Sequence, residues 1–286
     1  MYNKDDLKKL ADEYKETKAP ENLHANARNI LYGRKQNNKI TFLLKTAGLT
    51  AATLAVTFIA AANLSPSFAE TLQGVPFLNS AARLVTFRAY EQTDEHHELA
   101  IDQPQVDGLE NDRLTRTLND KYAAKAAELY EEYTKKTDGG IENITLLSGY
   151  SIKSNNGTTV SIEHNLFTAE ASGAQRYEYD TLDIENELYI TLPSLFRDDS
   201  YTERISSNIR QQMEDRMAQD PSQEFLFDEN GFNGIDPEQQ FYINDAHQLV
   251  IVFDEYAVAP GYMGAQEFII PSEEISGLLV SNSYIR

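Results

Sequence analysis

IENITLLSGYSIKSNNGTTVSIEHNLFTAEA (Ile141–Ala171) decides the fold. Its halves, Ile141 to Lys153 and Thr158 to Ala171, are rich in β-branched and apolar residues that suit a half-buried pleated surface. Between them Asn155-Asn156-Gly157 supplies the turn chemistry that tolerates positive φ, so the stretch reads as a β-hairpin. Ahead of it, Leu109 to Lys136 reads as one long helix. Leu114, Leu118, Tyr122, Ala126, Leu129 and Tyr133 recur at three- and four-residue spacing, and Gly139-Gly140 stops the pattern. Behind the hairpin, Arg176–Ile184 and Leu188–Leu192 flank the polar turn Glu185-Asn186-Glu187 as two more strands. Asp198 or Asp199 caps a second helix, whose stripe is Ile205, Ile209, Met213 and Met217 before Pro221. Phe241–Ile243, Leu249–Phe253 and Glu267–Ile270 supply the last strands. Helix, strands, helix, strands is the order of an α+β domain, with helices packed on an antiparallel sheet over residues 91–286.

Charge divides the chain of 286 residues sharply. Met1 to Lys45 carries ten basic and six acidic residues, Thr46 to Ala69 carries none, and Glu70 to Arg286 holds 15 basic against 39 acidic, a net of −24. Such a domain excludes nucleic acid and anionic membrane surfaces as charge-driven partners; its acidity either serves solubility or steers it toward a cationic partner. The absence of cysteine rules out disulfides and thiolate metal sites.

The uncharged run Thr46 to Ala69, 24 residues, would measure about 36 Å as a helix, enough for a hydrocarbon core of about 30 Å. Arg34, Lys35, Lys39 and Lys45 precede it and Glu70 is the first charge beyond. The positive-inside rule therefore keeps residues 1–45 cytoplasmic and exports the rest, with 46–64 as a single-pass transmembrane signal anchor. Residues 65–90 read as a juxtamembrane connector holding a small-x-small cleavage site: Ser67 and Ala69, with Glu70 after the scissile bond. Gly74 to Phe87 presents an apolar helical face, which Thr71 to Phe87 could lay on the membrane or the domain as an amphipathic helix. In the cytoplasmic front end, Leu7, Leu10 and Tyr14 form one short stripe. Leu23, Ala27, Ile30 and Leu31 form another, after Pro20. Two such helices bury too little to fold alone, so the segment is either a partly disordered juxtamembrane tail or one that folds by laying its stripes on a cytoplasmic partner.

No catalytic constellation stands out: G-x-S-x-G, H-E-x-x-H and a phosphate-binding glycine loop are all missing. The expectation is a binding protein rather than an enzyme, with no cofactor and no metal. TDEHHE (Thr93–Glu98) has two histidines without a third at ligand spacing and reads as a solvated turn. DENGFNGIDPEQ (Asp228–Gln239) fails as a calcium loop, because Phe232 takes the fifth ligand position and Gln239 the closing one. The neighbours Asp254-Glu255 carry little signal in a chain with 45 acids. The loop Ala257 to Gly264, with Pro260, Gly261 and Gly264, presents Tyr262 and Met263. The tyrosine either folds back to cap the core or stands out as an aromatic anchor.

FYINDAHQLVIVFDEYAVAPGYMGAQEFIIPSEEI (Phe241–Ile275), LYITLPSLFRDD (Leu188–Asp199), the helical front end, the single anchor and the terminal LLVSNSYIR together resemble the anti-sigma-V factors. These are lysozyme-receptor anti-sigma factors of Gram-positive bacteria. The resemblance implies that residues 1–45 hold an extracytoplasmic-function sigma factor inactive through Leu7, Leu10, Tyr14, Leu23, Ala27, Ile30 and Leu31. It implies that the outer domain binds a C-type lysozyme, which opens the Ala69-Glu70 site to signal peptidase. A site-2 protease then releases the sigma factor by regulated intramembrane proteolysis, a cell-envelope stress response acting on transcription. Ser172, Gly173, Pro260, Tyr262 and Met263 fall in the loops matching the family's lysozyme contacts. The alternative is an exported cell-envelope binding module released by signal peptidase, with no sigma factor partner.

Overall fold

The computed structural model of the protein describes residues 75–76, 83–227 and 231–286. The segment 46–64 expected to span the membrane, the residues Ser67, Ala69 and Glu70 of the expected cleavage site, and the two expected stripes, Leu7 to Tyr14 and Leu23 to Leu31, lie outside them. Among the described residues no helix is long and apolar enough to cross a membrane.

The hairpin forms as its turn chemistry requires. β4 (Ile144–Asn155) and β5 (Thr159–Ala169) pair antiparallel, and Gly157 takes φ +82° at the tip. Asn156 Oδ1 accepts from the amides of Thr158 and Thr159 at 3.0 and 2.7 Å, so the side chain closes the turn. β6 (Gly173–Asp183) continues antiparallel to β5, and β7 (Leu188–Ile190) covers only Thr181 to Asp183 of it. Three further strands, β1 (Val75–Pro76), β2 (Arg83–Thr93) and β3 (His97–Asp107), complete a seven-stranded sheet in chain order.

Two expectations are corrected here. The helical face expected over Gly74 to Phe87 gives way to strand at Val75–Pro76 and from Arg83 onward. The sheet is mixed rather than antiparallel, because β3 and β4 run parallel. A parallel pair needs a long crossover, and α1 (Asp112–Asp138) is that crossover. Asn111 caps it by accepting from the Leu114 amide at 3.1 Å. Its whole predicted stripe, Leu114 through Tyr133, is buried, packed on Leu99, Ile101, Val160, Ile162 and Leu166 of the sheet.

A second sheet orders β10 (Gln266–Ile270), β9 (Leu249–Phe253) and β8 (Phe241–Ile243), all antiparallel. All five residues of β9 are buried, as an uninterrupted apolar run requires. Leu249, Ile251 and Phe253 meet the stripe Tyr201, Ile205, Ile209 and Met213 of α2 (Ser200–Gln219), while Val250 and Val252 meet Tyr179 and Tyr242. The layers are thus α1, large sheet, small sheet, α2, and a one-turn α3 (Ser272–Ile275) follows β10. Asp199 stands at the start of α2 but makes no side-chain cap; Asp198 Oδ1 instead accepts from the Ser200 amide at 3.0 Å. Lys153, the bulged residue of β4, pins the sheets together, with its ammonium 3.1 Å from Glu163 and 2.9 Å from Glu267. The hydroxyls of Tyr179 and Tyr242 donate to these same two carboxylates at 3.1 and 2.7 Å.

Candidate ligand-binding loops

Loop 254–265, between β9 and β10, is built to hold an aromatic side chain outside the core. Pro260 opens a single 3-10 turn over Gly261–Met263, and Gly264 leaves it at φ +66°. Gln266, itself buried, donates to the carbonyl of Met263 at 2.7 Å and fixes the turn from below. Met263 packs against the α2 core, and its sulfur accepts from the Glu224 amide at 3.2 Å. With Met263 directed inward, Tyr262 is directed outward. It is 69% exposed and makes one hydrogen bond, from its hydroxyl to the Ser222 carbonyl at 3.1 Å. The core-capping alternative for this tyrosine is therefore excluded.

Tyr256, in the same loop, is 53% exposed and sits at φ +69°. A Cβ at position 261 would lie 2.2 Å from Tyr256 Cζ, so only glycine lets the ring rest there. The sequence reading passed over Tyr256. Its one local signal is a position directly after the acid pair that follows β9.

Ser172 and Ala171 stand exposed at the β5–β6 turn, and Gly173 opens β6. The two predicted loops are far apart in sequence but adjacent in the fold. The Gln175 amide, two residues beyond Gly173, donates to Glu255 at 2.9 Å, and the Tyr177 amide donates to Asp254 at 2.8 Å. The root of the loop that carries Pro260, Tyr262 and Met263 is thus fastened to β6 a few residues beyond Ser172 and Gly173.

The TDEHHE segment is the β2–β3 turn. Asp94 Oδ1 accepts from the amides of His96 and His97 at 2.9 Å each, which holds the Asp94 carboxyl below its usual range. Among the described residues no group of three or more histidine or acidic side chains is placed to hold a metal ion.

One arrangement of catalytic residue types does occur. Ser148 Oγ lies 2.9 Å from His164 Nε2, and Glu178 lies 3.9 Å from His164 Nδ1. Ser148 and His164 are both buried, and Tyr150 stacks on the imidazole at 4.3 Å. A nucleophile shut off from solvent meets no substrate, so the types match an acyl-transfer triad without its access. The cluster instead braces α1, since Lys125 of that helix donates to Glu178 at 2.7 Å. The neighbouring His164, and after it Lys125, push the Glu178 carboxyl down to about 2 against the opposing effect of burial. A carboxylate depressed in the folded state adds stability above its unfolded value, and that stability is lost as pH falls through the folded one. Glu178→Gln should therefore flatten the decline in melting temperature between about pH 4.5 and 2. Parallel melting curves for parent and variant across that window would contradict the assignment.

Residues 193–273 match a family model described as a protein of unknown function, DUF3298. A crystal structure of a DUF3298 family member from Bacteroides fragilis is 15% identical and covers 72% of this chain and 96% of its own, with TM-score 0.54. Another, from Pseudomonas aeruginosa, is 13% identical over 74% and 99% with TM-score 0.47. At such identity the first speaks for the fold alone. The anti-sigma-V factor RsiV of Bacillus subtilis (strain 168) is 34% identical over 284 residues, 98% of this chain and 99% of the relative. That match spans nearly the whole of both chains, and the chain belongs to the anti-sigma-V factor family.

Proposed function

We propose that the protein is a single-pass membrane receptor with a cytoplasmic N-terminus, which holds an extracytoplasmic-function sigma factor inactive and releases it when its outer domain binds a C-type lysozyme. Residues 1–45 bind the sigma factor through their two apolar stripes, and residues 46–64 span the membrane. The bond after Ala69 is cut by signal peptidase once ligand is bound, and a site-2 protease then frees the cytoplasmic stub. The protein takes part as a binder and as a proteolytic substrate, not as an enzyme.

The observation that carries the reading is Tyr262, 69% exposed on a loop whose root is hydrogen-bonded to β6 just beyond the Ser172 turn. A large, stiff aromatic held clear of its own core is the side chain that anchors protein interfaces at low entropic cost. The net −24 of Glu70 to Arg286 adds steering toward a strongly basic protein such as an animal lysozyme.

Calorimetry of Glu70–Arg286 with a C-type lysozyme tests the reading. Specific binding should saturate at one to one, and should weaken but persist between about 0.15 and 0.5 M salt, where the Debye length shrinks from about 8 Å to a few ångströms. Heat that vanishes at the higher salt, or never saturates at one to one, would reduce the association to opposite net charges.

A further inference from the structure

β6 is an edge strand over half its length. β7 pairs with it only at Thr181 to Asp183, so from Gly173 to Tyr179 no strand among the described residues pairs with its outer side. Edge amides left bare invite pairing with another chain. Here they are taken in alternation by side chains: Gln175 by Glu255 at 2.9 Å, Tyr177 by Asp254 at 2.8 Å and Tyr179 by Gln240 at 2.8 Å. The spacing i, i+2, i+4 is that of the outward-facing amides of a strand. Asp254 and Glu255 directly follow β9, at the root of the loop that carries Tyr256 and Tyr262. Hydrogen bonds from backbone amides to ionised carboxylates are stronger than neutral ones, so they fasten that root firmly. At its other end the loop is held by Gln266 and by the packing of Met263.

We propose that Asp254 and Glu255 are positioning residues for ligand recognition: standing in for an eighth strand along β6, they hold the Tyr262 loop against the Ser172 turn so that the two form one binding surface. The role deepens the lysozyme-receptor reading and rests on it for the ligand. The geometry itself can be tested without ligand. Neither carboxylate is required to touch the ligand; each acts through the loop it holds.

The chain has no cysteine, so a Ser172→Cys, Tyr262→Cys pair in the full-length protein takes two spin labels cleanly. The distance distribution between them should be narrow in this background and remain narrow when Asp254→Asn and Glu255→Gln are added, since each amide keeps an oxygen acceptor. Asp254→Ala with Glu255→Ala should broaden it. Glu255→Ala alone serves if the double variant melts early. In chains that retain Tyr262, the alanine pair should raise the lysozyme off-rate about tenfold, because the loop must then be ordered on binding, while the asparagine–glutamine pair stays within about threefold. A distribution unchanged by the alanine pair overturns the proposal. So does a broadened distribution with an unchanged off-rate, or an amide pair that loses as much as the alanine pair through its on-rate, the signature of charge steering. Failure of the parent chain to bind lysozyme, with the distribution still broadened by alanine, removes the ligand reading and leaves the carboxylate-held loop geometry intact.

Discussion

Tyr262→Ala should weaken the one-to-one complex with a C-type lysozyme by roughly 30- to 1000-fold, without lowering the melting temperature of the domain. The size follows from what a central aromatic anchor contributes, about 2 to 4 kcal/mol on truncation. The indifference of the fold follows from the loop's construction. Tyr262 is 69% exposed, and among the described residues its hydroxyl bonds only the carbonyl of exposed Ser222. Met263 and Gln266, not Tyr262, hold the turn to the core. Tyr262→Phe, which keeps the ring and loses that bond, should stay within about fivefold, since a hydrogen bond contributes about 1 kcal/mol net. Titration calorimetry and a melt on each variant decide it. Unchanged affinity in the alanine variant would move the interface elsewhere, and a melting temperature several degrees lower would mean that the ring stabilises its own loop.

Legibility in the sequence followed the reach of the interactions. The α1 stripe, the Asn156-Gly157 turn and the α2 stripe are local patterns, and each formed as read. β2 and β3 were missed because their alternation is broken. A bulge between Arg88 and Tyr90 shifts the register of β2, and β3 carries Pro104. A proline in mid-strand argues against a strand, yet here the fold permits it. β4 pairs with β3 only over His97 to Ile101. Beyond that stretch Asn119 of α1 takes both the amide and the carbonyl of Val106, at 2.8 and 2.9 Å, so no strand needs the donor that Pro104 lacks.

The loop 254–265 was legible as a proline–glycine excursion with an aromatic tip, whereas its fastening to β6 was not. Asp254-Glu255 is an adjacent acid pair in a chain with 45 acids, and its meaning lies in the amides of Gln175 and Tyr177, about eighty positions away. The same holds for Ser148, His164 and Glu178, brought together only by the pairing of β4, β5 and β6. One device serves two places in the large sheet: where a neighbouring strand stops short, a side chain from the layer beside it supplies the missing partner. On β3 this locks a helix in place. On β6 it fastens the loop that bears the anchor.

Ala69→Trp should abolish lysozyme-triggered cleavage while leaving lysozyme affinity within about twofold. Signal peptidase sites carry small residues at the first and third positions before the scissile bond, here Ala69 and Ser67, and an indole is far too large for such a position. Affinity is spared because the residue precedes the first described strand, β1 at Val75, and lies far in sequence from the Ser172 turn and the Tyr262 loop. In the proposed pathway intramembrane proteolysis acts on the stub that the first cut leaves, so the substitution should also silence the sigma-dependent transcriptional response. Ala69→Ser, still small, should cut normally and guard against a general defect in membrane insertion. Immunoblots of the full-length chain before and after lysozyme, with the new amino terminus sequenced, separate the outcomes. Continued cutting at the same bond in the tryptophan variant refutes the site. Loss of cutting with binding retained would divide the receptor into a sensing half and a triggering half, as a ligand-released anti-sigma factor requires.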